Sequence, residues 1–291
     1  MKYTIKDFRA EFPDDKACLA AVFRNKYPNG IECAKCHGKN CYYPVAARRS
    51  YVCSKCGAQV SPTAGTIFHK SPTPLTSWFH AIFLMGQSKN GVAAKELERQ
   101  LGVTYKCAWR IAKQVRLMMK GEGSPILGGP AGGVVEADET YIGGKRKGKR
   151  GRGAAGKTVV FGMVERGGAI KTQVVENVKG DTLAPLIQAT IAPGSVVSTD
   201  ELASYTRLGA LGYDHGTVTH GRGQYVQGIF HTNNLEGYWS QLKRSINGTY
   251  HAVSRKHLPS YLDEFSFRYD RRDAMAPIPV TLFSMVAKQV L

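Results

Sequence analysis

The sequence predicts an α/β chain: a main domain built on a mixed sheet, preceded by two small modules. Three observations carry that expectation. Beyond residue 130, three β-forming runs precede a helical run, a short apolar run that stops at Asp200, and further helix. Between residues 29 and 62 stand two Cys-x-x-Cys pairs with sixteen residues between them. Between residues 63 and 122 the apolar spacing turns helical and breaks at a glycine.

Composition bounds the function. A chain of 291 residues can hold a large core plus one or two small modules. Its 43% hydrophobic content excludes wholesale disorder. Forty Lys and Arg against 22 Asp and Glu give a net charge of +18, which implies a polyanionic partner, nucleic acid first. No apolar run approaches the roughly 20 residues of a membrane span, and the opening MKYTIKDFRAEFPDD has no hydrophobic signal core. The expectation is a soluble cytoplasmic, nucleoid-associated protein with no membrane partner. Its seven cysteines then read as thiols or metal ligands rather than disulfides.

Residues 1–28 read as a helical segment, with one amphipathic helix over residues 1–25 that has Phe8, Phe12, Cys18, Leu19, Ala21, Val22 and Phe23 on its apolar side. In residues 29–62, Cys33 with Cys36 and Cys53 with Cys56 form two knuckles that present four thiolates to one ion, a zinc ribbon. Gly38 and Gly57 suit the tight turns. Four thiolates leave no position for water, so the Zn²⁺ is structural. Cys41 and His37 are neighbouring bystanders, and Cys18 and Cys107 are core residues. Residues 63–122 supply the helix LTSWFHAIFLMGQSK and then two helices divided at Gly102. The second buries Cys107, Ala108, Ile111, Val115 and Met118, with Lys106, Arg110, Lys113 and Arg116 on its exposed side. That is the outline of a helix-turn-helix, with Lys106, Arg110 and Lys113 along DNA phosphates and Thr104, Tyr105 and Lys106 at the groove-facing end.

The main domain is expected over 130–275, after the glycine-rich seam GEGSPILGGPAGG. VVEADETYIGG reads as a strand delivering Asp138 near its end, with Glu139 beside it. The run holding Lys145, Arg146, Lys147, Lys149, Arg150 and Arg152 reads as a hairpin tip for a nucleic-acid backbone. TVVFGMVERGGAIKTQVVENV gives two more strands joined at RGG, GDTLAPLIQATIAPG a helix, and SVVSTD a strand ending in Asp200. ELASYTRLGALG reads as helix, TVTH as a short strand, and HTNNLEGYWSQLK as a helix with Asn233, Glu236 and Lys243 near one face. SRKHLPSYLDEFSFRYDRRD packs on this domain, and 276–291 is a C-terminal helix. The order of elements resembles the ribonuclease-H-like core, whose acids converge at one end of the sheet. Asp138, Asp200 and Glu236 would there bind two Mg²⁺ or Mn²⁺ ions roughly 3.5–4 Å apart.

The ribbon cysteines, SPTAGTIFHKSPTPL, ADETYIGGK, STDELASY, HTNNLEGYWSQLKR and SRKHLPSYLDEFSFRYDRR cover most of residues 30–272. Together they resemble the bacterial insertion-sequence transposases of the DDE type, in the zinc-ribbon, ISXO-type group. The resemblance implies Asp138 and Asp200 as the two metal-binding aspartates and a third position, Asn or Glu, followed by Lys. Glu236 is favoured there because a carboxylate binds Mg²⁺ better than an amide; Asn233 is held in reserve. It further implies cleavage at the transposon end and attack of the 3′-OH on target DNA, with Lys243 and Arg244 holding backbone phosphate. The implied partner is double-stranded DNA, both terminal inverted repeats and target, bound by a homodimer or higher multimer. His220 and His231 flank the loop before the site, where a structural role is favoured over proton transfer. Two alternatives share these residues: a ribonuclease-H-like nuclease that cuts without joining, and an inactive DNA-binding regulator.

Overall fold

In a computed structural model the described residues are 2–45, 48–121, 126–129, 132–143, 156–219, 221 and 223–288. The basic run Lys145, Arg146, Lys147, Lys149, Arg150 and Arg152 lies outside them, as does His220. The chain divides into two compact units, Met1–Met119 with Ala274–Leu291, and Lys120–Asp273. No helix among the described residues is long and apolar enough to cross a membrane.

The first unit opens with two helices, α1 (Ile5–Glu11) and α2 (Asp15–Lys26), where the sequence suggested one. Pro13 has no N–H to continue the ladder and disfavours helical backbone at Phe12. Asp14 then caps a new start by accepting from Ala17 N at 2.7 Å. The ribbon follows as three short antiparallel strands, β1 (Tyr42–Pro44), β2 (Tyr51–Cys53) and β3 (Gln59–Val60). Helix α3 (Leu75–Gln87) is apolar on nearly all sides and buries Trp78, Phe79 and Ile82. Gly86 lets Pro279 of α9 (Ile278–Ser284) sit against it, where a Cβ would meet the proline at 2.8 Å. The C-terminal helix thus belongs to this unit.

Helices α4 (Ala94–Leu101) and α5 (Tyr105–Met119) meet at Gly102, whose φ of +64° ends α4 in the left-handed region. One expected surface is corrected. Arg116 is buried at 3% exposure, because Ala112, Val115 and Met119 on its own face are all buried. Arg110 also turns inward, donating to His69 O at 3.3 Å. Lys113 lies over the Trp109 ring at 5.8 Å, while Lys106 and Tyr105 are exposed.

The second unit is a five-stranded mixed sheet. Its strands are β4 (Val135–Ile142), β5 (Thr158–Glu165), β6 (Ile170–Val175), β7 (Val196–Thr199) and β8 (Asp214–Thr217). They lie in the order β6-β5-β4-β7-β8. The first three form an antiparallel meander, and β7 and β8 run parallel to β4. This is the ribonuclease-H-like arrangement. Helix α6 (Gly180–Thr190) covers one face with Leu183 and Ile187 on Ala137, Phe161 and Val197. Helices α7 (Asn233–Ser245) and α8 (Leu258–Asp270) cover the other, where Leu235, Trp239, Leu242 and Phe265 pack on Val160 and Val164. The alternation of strand residues between the two layers follows the pleat.

Two local expectations in this unit are corrected. Residues 201–212 form two 3₁₀ turns, Ala203–Tyr205 and Gly209–Leu211, rather than a regular helix. Gly209 and Gly212 weaken any longer helix, and Gly212 takes a φ of +89°. The last strand is Asp214–Thr217 instead of Thr217–His220, since parallel pairing with β7 starts at Val196↔Asp214.

Candidate active site

Strand β4 carries Asp138 and Glu139, and Asp200 follows the last residue of β7. The parallel register pairs Val135 with Val197 and Glu136 with Ser198, so the same offset sets Asp138 level with Asp200. One carboxylate oxygen from each of Asp138, Glu139 and Asp200 lies within 4.8 Å of the others. Glu139 and Asp200 are each 8% exposed. Burial, then the charges of Glu139 and Asp200, push the Asp138 pKa up to about 7. A divalent cation among the three would relieve that repulsion, and an all-oxygen set suits Mg²⁺ or Mn²⁺.

Donors hold each acid. Trp239 Nε1 donates to Asp138 Oδ2 at 3.0 Å, Tyr205 OH to Glu139 Oε2 at 3.0 Å, and Leu202 N to Asp200 Oδ1 at 3.0 Å. Helix α7 is seated by a further carboxylate, fully buried Glu136. It accepts from Leu235 N at 3.0 Å, Asn234 Nδ2 at 2.8 Å and Arg166 Nε at 2.8 Å. His231 Nδ1 lies 3.1 Å from the same carboxylate, which gives that histidine a structural partner.

Helix α7 also bears the other expected residues. Partial desolvation against its neighbours lowers the Lys243 pKa, Asp138 raises it in part, and Lys157 adds to the fall. Lys243 and Arg244 beside it are both exposed. Glu236 is not one of the three clustered carboxylates; it accepts from Thr232 Oγ1 at 3.2 Å. Asn233 opens the helix, exposed, with its N–H 3.4 Å from His231 Nδ1. The structure thus gathers Asp138 and Asp200, adds Glu139, and leaves Glu236 and Asn233 outside the cluster. Glu136, Tyr205 and Trp239 were not singled out from sequence as site residues. Period-two alternation in VVEADET does place Glu136 and Asp138 on one face.

In the first unit one sulfur from each of Cys33, Cys36, Cys53 and Cys56 lies within 4.8 Å of the others. The knuckles match. Cys33 N bonds Gly38 O and Cys53 N bonds Ala58 O, while His37 and Gly57, four residues after each first cysteine, take φ of +57° and +73°. Hydrogen bonds from the Tyr42 hydroxyl and two backbone N–H groups pull Cys33 down to about 6. The four thiols fit a structural zinc. Cys41 Sγ lies 3.2 Å from Cys53 Sγ but outside the set of four.

A zinc ribbon followed along the chain by a ribonuclease-H-like sheet with a clustered acid site fits a DNA transposase. Residues 130–270 match the ISXO2-like transposase domain and residues 13–59 match the transposase zinc-ribbon domain, which supports a DNA transposase. A protein in transposable element ISH50 of Halobacterium salinarum is 27% identical over 276 residues, 88% of this chain and 91% of that one. A transposase-like protein of Haemophilus influenzae is 26% identical over 111 residues, 38% of this chain and 89% of its own. Among solved structures, the Mos1 strand transfer complex is similar at 12% identity and a TM-score of 0.30, covering 73% of this chain and 78% of that one. A pre-cleavage Mos1 transpososome gives 13% and 0.27, covering 73% and 79%. Scores at that level add nothing to the fold, which rests on strand order and register.

Proposed function

We propose that this chain cuts and joins DNA itself, by divalent-metal-dependent cleavage at insertion-sequence ends and transfer of the freed 3′-OH to a target. The observation that carries the reading is the convergence of Asp138, Glu139 and Asp200 beside the helix that bears Lys243. When bound, Mg²⁺ or Mn²⁺ would lower the pKa of an attacking water and stabilise the leaving oxygen. The side chains do the rest. Asp138 and Asp200 supply oxygen ligands, with Glu139 completing the cluster. Glu236, freed from Thr232, is the helix-borne third ligand, and Asn233 remains in reserve. Lys243 and Arg244 hold the backbone phosphate near the acids. Lys106, at the exposed start of α5, contacts phosphate at the terminal repeat, with the helix-turn-helix and ribbon binding the element ends. The working unit is a homodimer or higher multimer that brings two ends together in the cytoplasm, on the nucleoid.

The test uses labelled double-stranded DNA carrying the element's own end, purified protein and Mg²⁺ or Mn²⁺. Wild type should give joined products and Asp138→Asn none. Products lost with Glu236→Gln and kept with Asn233→Ala place the third ligand at Glu236; the reverse moves it one turn earlier. Glu139→Gln asks whether the adjacent acid is a ligand as well. Cleavage without joining would make this a nuclease, and binding without cleavage a regulator.

A further inference from the structure

We propose that Trp239 is a positioning residue for the metal site: its indole N–H fixes the Asp138 carboxylate in the orientation that receives a divalent cation. This rests on the reading of Asp138 as a metal ligand given above. The indole Nε1 lies 3.0 Å from Asp138 Oδ2, and Trp239 is only 4% exposed. A buried indole N–H needs an acceptor, and here it meets a carboxylate of the acid cluster. That bond restricts rotation of the carboxylate, so the acid is oriented before any ion arrives.

The backbone opposite is shaped for the same contact. Asp138 pairs directly with Gly162 on β5. A Cβ at residue 162 would lie 2.6 Å from Trp239 Cζ2 and 2.7 Å from Cη2. The glycine therefore opens a notch in the sheet surface that admits the indole ring beside Asp138. Two residues earlier on the same strand face, Glu136 accepts from Leu235 N at 3.0 Å and fixes where α7 begins. The helix is thus pinned to β4 at two successive positions of one strand face, and the second pin is a metal-site acid. Simple packing of a tryptophan requires neither the glycine directly across from the acid nor an N–H aimed at it. Outer-shell donors of this kind change metal affinity by roughly 10- to 100-fold when removed.

Mn²⁺ binding by calorimetry on the full-length, zinc-loaded protein tests the proposal, with Asp138→Asn as the control that defines the site. Trp239→Phe keeps the ring and removes the N–H. It should weaken Mn²⁺ binding about tenfold or more, and shift the Mg²⁺ requirement for joining upward while changing the rate at saturating metal little. Gly162→Ala should weaken binding similarly by displacing the ring. The double variant should be no weaker than Trp239→Phe alone, because both act through one N–H. Wild-type affinity in a folded Trp239→Phe protein would overturn the proposal and leave the metal reading standing. Wild-type protein that shows no Asp138-dependent Mn²⁺ binding would overturn the metal reading, and this proposal with it. A second measurement needs no variant: with ¹⁵N-labelled indoles, the Trp239 N–H resonance should move on Mg²⁺ titration. A resonance indifferent to Mg²⁺ that saturates the site would count decisively against it.

Discussion

The cysteine cluster and the carboxylate cluster each gather ligand atoms within 4.8 Å, but they are assembled on different scales of the chain. Cys33, Cys36, Cys53 and Cys56 come from two matching turns, each closed by its own backbone hydrogen bonds. The short strands β1 to β3 add little buried surface of their own. Asp138 and Asp200 are brought level only by the parallel pairing of β4 with β7, in a unit with packed layers on both faces of its sheet. The ribbon should therefore need a bound ion to stay folded, whereas the acids are held in place by the fold itself. Removing metal should unfold the ribbon and leave the sheet that carries the acids folded.

The largest expected effect is at the zinc. Structural zinc sites contribute on the order of 10 kcal/mol of folding free energy, so a strong zinc chelator or Cys36→Ser should unfold the ribbon. Loss of its amide dispersion in nuclear magnetic resonance spectra would show this. A ribbon that keeps its spectrum after zinc is stripped would erase the contrast between the sites. Next come Asp138→Asn and Asp200→Asn. Each should cut joining by about a thousandfold or more, beyond the 10- to 100-fold typical of outer-shell partners, while the circular dichroism spectrum stays wild type. Unfolding on either substitution would mean that the fold leans on the acids after all.

Glu136 sharpens the comparison from the other side, as a buried acid paired with protein donors instead of an ion. Glu136→Ala leaves Arg166 without its buried partner and frees the start of α7, so it should destabilise by about 3–5 kcal/mol in urea titrations. A value under 1 kcal/mol would show that α7 is seated by its apolar face alone.

How much of this was legible in the sequence follows from the same difference in scale. The ribbon ligands were readable because each knuckle is complete within four residues. Asp200 is readable because the apolar run SVVST stops at an acid, and it does follow the last residue of β7. Asp138, expected near a strand end, lies in the middle of β4, because the strand continues through Glu139-Thr140-Tyr141-Ile142. Strand β8 was misplaced because Asp214-His215-Gly216-Thr217 has almost no β propensity; its pairing with β7 makes it a strand. The single helix expected over residues 1–25 ignored Pro13. The place of Glu139 in the cluster needed three dimensions, since adjacent strand residues point to opposite faces and only the turn after β7 brings Asp200 within reach of both. The charge of Arg116 alone suggests an outward position, but its neighbours Ala112, Val115 and Met119 are apolar and buried.

The acid cluster also carries a pH signature of its own. The folded pKa of Asp138, about 7, lies above its unfolded value near 3.9. Native protein then binds a proton that unfolded chain does not between those values, so the stability tied to this group is present at low pH and lost as pH rises through about 7. With magnesium omitted, the melting temperature of the catalytic unit should fall between pH 5 and pH 8, and Asp138→Asn should flatten that fall. Added Mg²⁺ should raise the melting temperature more at pH 8 than at pH 5. An equal effect at both would detach the ion from Asp138.

The smallest effect separates two cations on α5. Lys106 is exposed at the start of the helix beside Tyr105, which is 45% exposed, whereas Arg116 is 3% exposed in the interior. A phosphate contact by Lys106 releases about one condensed counterion, so Lys106→Ala should weaken end binding a few-fold and reduce the salt slope by about 1. Because such a contact reads no base, the loss should be the same on element ends and on unrelated DNA. Arg116→Ala should do the converse, lowering the melting temperature through lost packing while leaving the salt slope unchanged. Fluorescence anisotropy across a series of salt concentrations measures both slopes. A salt slope that responds to Arg116 and ignores Lys106 would mean that DNA approaches α5 from a face other than its exposed N-terminal end.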